Sequence, residues 1–287
     1  MAELLAANGN PLSNSSFETS EQRLLVPQTS TINLRPPAYA DGVILFPEGL
    51  ITYPEGTERG LYPVENQKGK IEYLAPNWVV ERDIRLLMQG LKLLLPPVDM
   101  VIPIAKGGLV LGQEAGYMIT TRSDTGRVIG HINSAQTNGY DEFDNALTDV
   151  EIWSTPQQAD MKGMKNFLFA DDLRDKDKAV RAVSGNVVPN MPEGANWFET
   201  ALYAKENGIP VSGIVLRMLA DKWVRYENQM ESDEQRIWYM RQLFNTHPKY
   251  FEHMEANERS KAEPLPPIPD HWHDLIKARN EHFAFAA

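Results

Sequence analysis

A short apolar run followed at once by two acids constrains the fold of this chain more than any other feature. Four of the five residues from Asn166 to Ala170 are apolar, and Asp171 and Asp172 come directly after them. Such a run is typical of a strand buried on both faces of a parallel sheet. Open α/β sheets bind ligands just beyond the carboxyl ends of their strands. An acidic pair is also common on solvated loops and at helix caps, so its interpretation depends on a second feature.

That second feature is another apolar run, which leads into two glycines. Residues Met100 to Ala105 are predicted to form a buried strand, and Lys106, Gly107 and Gly108 follow as a turn that opens a helix. Glycines allow the main chain to approach a phosphate closely, and the start of a helix supplies N–H donors. Lys106 adds a compact positive charge. The two strand ends are therefore predicted to form one site.

The remaining apolar patterns alternate between strands and helices. Such alternation indicates βαβ units, so the predicted fold class is α/β, with a mostly parallel central sheet flanked by helices. The further predicted strands are 43–46, 50–53, 71–74, 127–132, 150–153 and 211–216, and the predicted helices are 78–95, 108–119, 196–205, 221–259 and 270–283.

Shifts in composition divide the chain into four predicted segments. Residues 1–38 are polar and rich in Asn, Ser, Thr and Pro, which is typical of an extended arm. Residues 39–77 are predicted to form a β segment that covers the site as a hood. Residues 78–222 form the predicted core, and residues 223–287 a helical, aromatic extension whose rings are expected to pack rather than to stack on a ligand.

Charge and composition limit the possible partners. The chain of 287 residues has 28 Lys and Arg against 39 Asp and Glu, a net charge of -11, which argues against a broad nucleic-acid surface. It contains no cysteine, so a disulfide framework and a thiolate metal site are excluded. We find neither an apolar run of about 20 residues, as a membrane span requires, nor a secretory signal. We therefore expect a cytoplasmic protein without a membrane partner.

The order of these features resembles the type I phosphoribosyltransferase family over residues 78–222, with a glycine turn after one strand and an acidic pair after a later one. The resemblance implies phosphoribosyl transfer between phosphoribosyl pyrophosphate and a nucleobase or related acceptor, with Mg2+ as cofactor. It also implies a homo-oligomer, most simply a dimer. The alternative hypothesis is a non-catalytic member that serves as a ligand sensor or an interaction protein.

The resemblance also assigns roles to individual residues. Asp171 and Asp172 would contact the ribose hydroxyls as the catalytic pair, and Lys106, Gly107 and Gly108 would contact the diphosphate. Lys222, which follows the predicted strand 211–216, would reach the base.

One departure from the family pattern concerns the loop that holds the 5′-phosphate. The family has a Thr-Gly loop after the acidic pair, whereas residues 173–179 contain no glycine. Three alternatives follow: the phosphate contacts Arg174, Lys176 or Lys178, it contacts Gly194 just before the predicted helix 196–205, or it is not held at all. Segment 173–195 shows no clear periodicity and is expected to be the most mobile or unusual part of the core.

Other functional patterns are weaker. His271 and His273 lie two residues apart and so do not share a helix face, and we predict no metal site there. No Gly-x-Gly-x-x-Gly follows a strand, and Gly-x-Ser-x-Gly is absent, which excludes a dinucleotide-binding fingerprint and a serine-hydrolase elbow. A receiver-type phosphorylation domain would need an acid at the end of the strand 211–216, and none is found there.

Overall fold

A computed structural model describes residues 24–26, 39, 41–50, 52–105, 107–118, 131–132, 135–140, 146–207, 212–230, 232–261 and 267–284. The strands in these ranges are β1 (Leu24–Val26), β2 (Val43–Ile44), β3 (Tyr62–Glu65), β4 (Ile71–Ala75), β5 (Met100–Ala105), β6 (His131–Ile132), β7 (Ala135–Tyr140), β8 (Ala146–Ser154), β9 (Asn166–Arg174), β10 (Asn196–Lys205), β11 (Ile214–Leu219) and β12 (Val224–Tyr226). The helices are α1 (Asn77–Leu94), α2 (Gly108–Met118), α3 (Lys178–Val187), α4 (Asp233–Thr246), α5 (Tyr250–Ser260) and α6 (Asp270–Ala284).

Most of the described strands form one central sheet, in the order β1-β8-β7-β5-β9-β10-β11-β2, with β6 also paired to β5. All pairings from β7 through β5, β9, β10 and β11 to β2 are parallel, while β7–β8 and β1–β8 are antiparallel. A second, three-stranded sheet has the order β12-β4-β3. The predicted α/β class with a mostly parallel central sheet is thus confirmed.

The strand register places the two predicted motifs at the same edge of the sheet. Pro103 of β5 pairs with Ala170 of β9, so the turn after β5 lies beside the acids near the end of β9. On the other side of β9, Asn166 pairs with Asn196, which puts the start of β10 at the opposite, amino-terminal edge.

Helix α1 packs its apolar stripe into the main core. Ile84, Leu87 and Leu91 are fully or almost fully buried, as expected from their helical spacing. The helix ends at Leu94, just before Pro96. The C-terminal aromatic rings are part of the same core: Trp272 is fully buried, and its indole N–H donates to the Leu45 carbonyl at 2.8 Å. The predicted helix over 78–95 is confirmed. The predicted packing role is confirmed for Tyr226, Tyr239 and Tyr250, which are buried in this core, whereas the rings of Phe244 and Phe251 are exposed.

The prediction of a helix over 196–205 is wrong, because this segment is strand β10. It lies between β9 and β11, and each of its residues from Trp197 to Lys205 is buried. A strand buried on both faces lacks alternation, and a continuous apolar run can look like a helix. Its two buried charged side chains are paired: Glu199 with Arg174, and Lys205 with Asp175 at 3.2 Å. Paired partners remove most of the penalty that buried charges would otherwise impose.

Segment 173–195 is also more regular than predicted, because it contains α3. Val180, Val183, Ser184 and Val187 are buried along one face of this helix, at the spacing of an amphipathic helix. Helix α3 is the crossover between the parallel strands β9 and β10, which cannot be joined by a tight turn. The expectation of a segment without periodic structure, with a helix only after Gly194, is therefore wrong.

Smaller differences concern the ends of the predicted elements. Residues 52–53 form no strand, and the predicted helical region 221–259 contains β12 before α4 and α5. The predicted strand at 127–132 is described only at His131–Ile132, and residues 127–130 lie outside the described residues. Within the described part of the chain, no helix is both long enough and apolar enough to cross a membrane.

Candidate active site

The candidate site is the place where the glycine turn after β5 meets the acidic pair of β9. A Cβ atom on Gly107 would overlap the carboxylate of Asp172, and one on Gly108 would overlap the carbonyl oxygen of Ala170. Neither position leaves space for a side chain, so the main chain of the turn lies directly against β9. The close approach explains why both positions are glycine. Two motifs separated by more than 60 residues thus lie in direct contact.

Two residues that the sequence analysis did not assign to the site contact the second acid. The side-chain amide of Gln229 donates to Asp172 Oδ2 at 3.3 Å, and the Tyr226 hydroxyl donates to the Asp172 carbonyl at 3.2 Å. Burial, followed by the nearby charge of Asp172, raises the pKa of Tyr226 well above its usual value, so the hydroxyl stays protonated and can donate. No local motif marks either residue, since both reach the site from beyond β11.

The acidic pair is electrostatically unfavourable when nothing is bound. Both carboxyls are half-buried, and the Asp172 backbone N–H donates to Asp171 Oδ1 at 2.9 Å. Burial, and then the charge of Asp172, raise the pKa of Asp171 well above its usual range; burial also raises the pKa of Asp172. A pair of acids that resists full ionisation is common at functional sites, because a ligand or cation can relieve the repulsion.

This repulsion gives a prediction about stability. We expect Asp171→Asn to increase the free energy of unfolding of the ligand-free protein at pH 7, measured by urea denaturation. The pKa of Asp171 is higher in the folded than in the unfolded state, so ionisation destabilises the fold as the pH rises through and above that interval. Below both pKa values the carboxyl is protonated in both states, and the gain should disappear. Asp41→Asn, at an exposed position, is the control. A gain that is equal at pH 3 and pH 7 would contradict the prediction.

The side chain of Arg174, which was predicted to bind phosphate, is buried and forms ion pairs inside the protein. Its side chain is 3% exposed, and its guanidinium contacts Asp177 at 2.7 Å and Glu199 at 2.6 Å. It also donates to Ser212, whose hydroxyl donates to Glu199 at 2.5 Å. Two carboxylates already neutralise this cation, and burial keeps it from solvent. The contacts therefore join the end of β9 to α3 and β10, and the predicted ligand role of Arg174 is not supported.

The other predicted phosphate contacts separate into two groups. Lys176 is exposed in the turn after β9, and Lys178 begins α3, so both lie at the same edge as Asp171. Gly194 precedes β10 and lies at the opposite edge, because Asn196 pairs with Asn166 at the start of β9. Its positive φ of 75° is the ordinary conformation of a turn glycine. The alternative that Gly194 holds the same ligand as Asp171 is therefore wrong.

Two lysines complete the predicted set. Lys222 is exposed in the turn after β11, at the carboxyl-end edge but two strands away from β9. Lys106 lies outside the described residues.

The donor set at this edge suits a cation that is held partly by its ligand. Among the residues that the structure describes, no group of three or more His, Cys, Asp or Glu side chains could hold a metal by itself. Mg2+, however, is commonly bound by one or two carboxylates together with substrate phosphates and water. Asp171 and Asp172 fit that arrangement, and their mutual repulsion would be reduced by a cation.

Comparisons with known proteins give structural matches only. No protein-family model and no curated protein matches the chain. A purine phosphoribosyltransferase from Pyrococcus horikoshii is similar over 53% of this chain and 90% of its own, at 18% identity and a TM-score of 0.41. A xanthine-guanine-hypoxanthine phosphoribosyltransferase from Helicobacter pylori is similar over 55% of this chain and 95% of its own, at 12% identity and a TM-score of 0.44. A hypothetical protein from Neisseria gonorrhoeae with bound ppGpp is similar over 60% of this chain and 98% of its own, at 14% identity and a TM-score of 0.44.

Proposed function

We propose that this protein transfers a phosphoribosyl group between phosphoribosyl pyrophosphate and a nucleobase or related acceptor. The observation that carries the proposal is the contact between the Gly107 turn and the Asp172 carboxylate at the carboxyl ends of β5 and β9. A phosphorylated sugar presents the two kinds of group that such a site can bind side by side. Its phosphates accept from main-chain N–H groups, and its hydroxyls donate to carboxylates.

Each part of the site has a role in this proposal. Gly107 and Gly108 let the main chain reach the diphosphate, and Lys106, which precedes them in the sequence, is proposed to supply a positive charge. Asp171 and Asp172 accept hydrogen bonds from the neighbouring ribose hydroxyls. Two carboxylates beside a diphosphate would repel it, so the proposal includes Mg2+, which supplies charge neutralisation when it is bound.

The proposed reaction requires no covalent bond between the protein and the substrate. The bond between the anomeric carbon and the diphosphate oxygen breaks, and the diphosphate leaves with the electron pair. The acceptor nitrogen forms the new bond with its lone pair, and a nucleobase N–H releases its proton to solvent. The transition state has oxocarbenium character at the anomeric carbon. Catalysis therefore depends on holding the sugar in position and on balancing the charge of the departing diphosphate. The residues named above act by positioning.

The two lysines near the start of α3 provide a prediction for the 5′-phosphate. We expect Lys176→Glu/Lys178→Glu to weaken the binding of phosphoribosyl pyrophosphate about tenfold at low salt and less at high salt. A contact between unit charges in water is worth roughly 1 kcal/mol, and salt screens it. Isothermal titration at two salt concentrations measures the effect.

Lys162→Glu/Lys165→Glu is the matched control, because it makes the same charge change at exposed positions before β9, at the opposite edge of the sheet. If both double variants bind like the unmodified protein, these lysines do not hold the phosphate.

A non-catalytic ligand-binding role is the second candidate function, and the loop after β9 favours it. Asp175 is paired with Lys205 at 3.2 Å and also accepts from the Asn207 amide. Arg174 is buried in its own ion pairs. These charges are used within the protein, and the loop has no glycine with which to cradle a phosphate.

A base-by-base activity screen separates the two functions. Release of diphosphate from phosphoribosyl pyrophosphate and Mg2+ should depend on one class of acceptor base and should be lost in Asp171→Asn/Asp172→Asn. Binding of phosphoribosyl pyrophosphate without turnover, for every purine, pyrimidine and pyridine base tested, would contradict the enzymatic function and support the non-catalytic one.

A further inference from the structure

A second cavity lies away from the candidate active site, between α1, α5, β11 and the segment 52–54. It has a volume of about 430 Å³, within the range of small-molecule sites. Its principal lining side chains are Tyr53, Trp78, Arg82, Arg217, His253 and Asn257. Neither glycine of the turn and neither acid of the pair contributes to it.

Asn257 is the first sign that this cavity is a binding site. The residue is 6% exposed, yet neither its amide nitrogen nor its amide oxygen has a hydrogen-bond partner among the described residues. A buried, unpaired amide destabilises a protein, and most such groups find a partner. A ligand with one donor and one acceptor side by side would satisfy both atoms.

The positive charge of the cavity is the second observation that indicates a binding site. Arg82 and Arg217 both pair with the single buried carboxylate of Asp83. One positive charge therefore remains, and Nε of Arg217 has no hydrogen-bond partner within the part of the chain that the structure describes. Burial lowers the pKa of His253, so its ring adds no charge at neutral pH. A surplus cation that is largely withheld from water favours an anionic ligand.

The walls of the cavity favour a flat ligand. The Arg82 guanidinium lies 5.7 Å from the centre of the Trp78 ring, and that of Arg217 lies 5.1 Å from the centre of the Tyr53 ring. Planar cations and aromatic rings present flat, polarisable surfaces on which another planar group can stack.

From these contacts we propose that the cavity is a ligand site for a small planar organic anion that carries an amide-like edge. The anionic group contacts Arg82 and Arg217, and the amide-like edge pairs with Asn257. This site is separate from the proposed phosphoribosyl site and does not depend on it.

Three probes separate the features of the proposed ligand. A pyridone carboxylate has the ring, the charge and the amide-like edge; benzoate lacks the edge, and 2-pyridone lacks the charge. Titrations of the full chain followed by NMR should show saturable binding of the pyridone carboxylate. Each of the other two should bind about tenfold more weakly, the expected effect of losing one well-formed polar contact.

Asn257→Leu tests the site from the side of the protein. The substitution removes the unpaired amide at nearly constant size, so it should raise the melting temperature and weaken binding of the pyridone carboxylate at least about tenfold. Ala256→Phe, at an exposed position on the cavity wall, should also block binding and serves if Asn257→Leu does not fold. Asp171→Asn/Asp172→Asn should bind the probe normally, which separates this site from the proposed function.

Three results would overturn the proposal: no saturable binding of the pyridone carboxylate, binding that all three probes share equally, or binding that is unchanged by the substitutions at Asn257 and Ala256.

Discussion

Asp83→Ala is expected to lower the free energy of unfolding by about 3–5 kcal/mol, the usual effect of breaking a buried ion pair. Asp83 is fully buried on α1, Arg217 on β11 is 2% exposed, and the two side chains pair. The Tyr203 hydroxyl donates to the same carboxylate at 2.5 Å. Removal of Asp83 would leave a buried guanidinium without its counter-charge. Urea denaturation followed by circular dichroism measures the loss.

Glu81→Ala is the matched control for this experiment. Glu81 lies on the same helix, but it is exposed and pairs with Lys261 at 3.0 Å on the surface. Exposed ion pairs contribute about 0–1 kcal/mol, so this variant should unfold almost like the unmodified protein. If the two variants lost equal stability, the buried network would not stabilise the fold as described.

The same network positions the candidate site indirectly. Asp83 holds Tyr203, whose ring stacks on Tyr226 with the ring centres 6.3 Å apart. Tyr226 in turn donates to the Asp172 carbonyl. A continuous set of contacts thus joins α1 to the acidic pair.

Gly107→Ala is expected to abolish detectable binding of phosphoribosyl pyrophosphate. The new Cβ would overlap the Asp172 carboxylate, so either the turn or the acid must move away from its present position. Overpacking of this kind also costs about 1–3 kcal/mol in stability. Titration calorimetry and thermal unfolding measure the two effects separately.

Gly185→Ala is the control for the change of glycine to alanine. Gly185 lies within α3, and a Cβ there would meet no atom within 4 Å. We expect this variant to bind normally and to gain about 0.5–1 kcal/mol, because alanine is the better helix former. Normal binding by Gly107→Ala would show that the glycine turn does not hold the ligand.

The sequence was most informative where buried strands end in distinctive residues. The apolar runs before Lys106 and Asp171 predicted strands β5 and β9, and the parallel arrangement then placed their ends together. Helix α1 was equally predictable, because its apolar residues repeat at helical spacing and a proline follows it closely.

The wrong prediction of a helix over 196–205 arose because this strand is buried on both faces, and it also affected the prediction of the phosphate-binding residues. A strand buried on both faces lacks the alternation that distinguishes strands from helices. A helix over 196–205 would put Gly194 at its start and beside the ligand, whereas strand β10 puts Gly194 at the opposite edge of the sheet. The regular spacing of Val180, Val183 and Val187 could have indicated α3, which would have excluded that alternative.

The contacts of single side chains could not be read from the sequence. Asp177, one partner of Arg174, is only three residues away, but the other two, Glu199 and Ser212, are 25 and 38 residues away. Gln229 reaches Asp172 from 57 residues away. Such contacts depend on how the strands pair, which local patterns do not specify.

Titration calorimetry with phosphoribosyl pyrophosphate and Mg2+ tests the central claim most directly, namely that the Gly107 turn and the two acids form one ligand site. The unmodified protein should bind saturably and only with Mg2+ present, and folded Asp171→Asn/Asp172→Asn should show no binding. Absence of binding by the unmodified protein at millimolar ligand, or equal binding by the double variant, would contradict it.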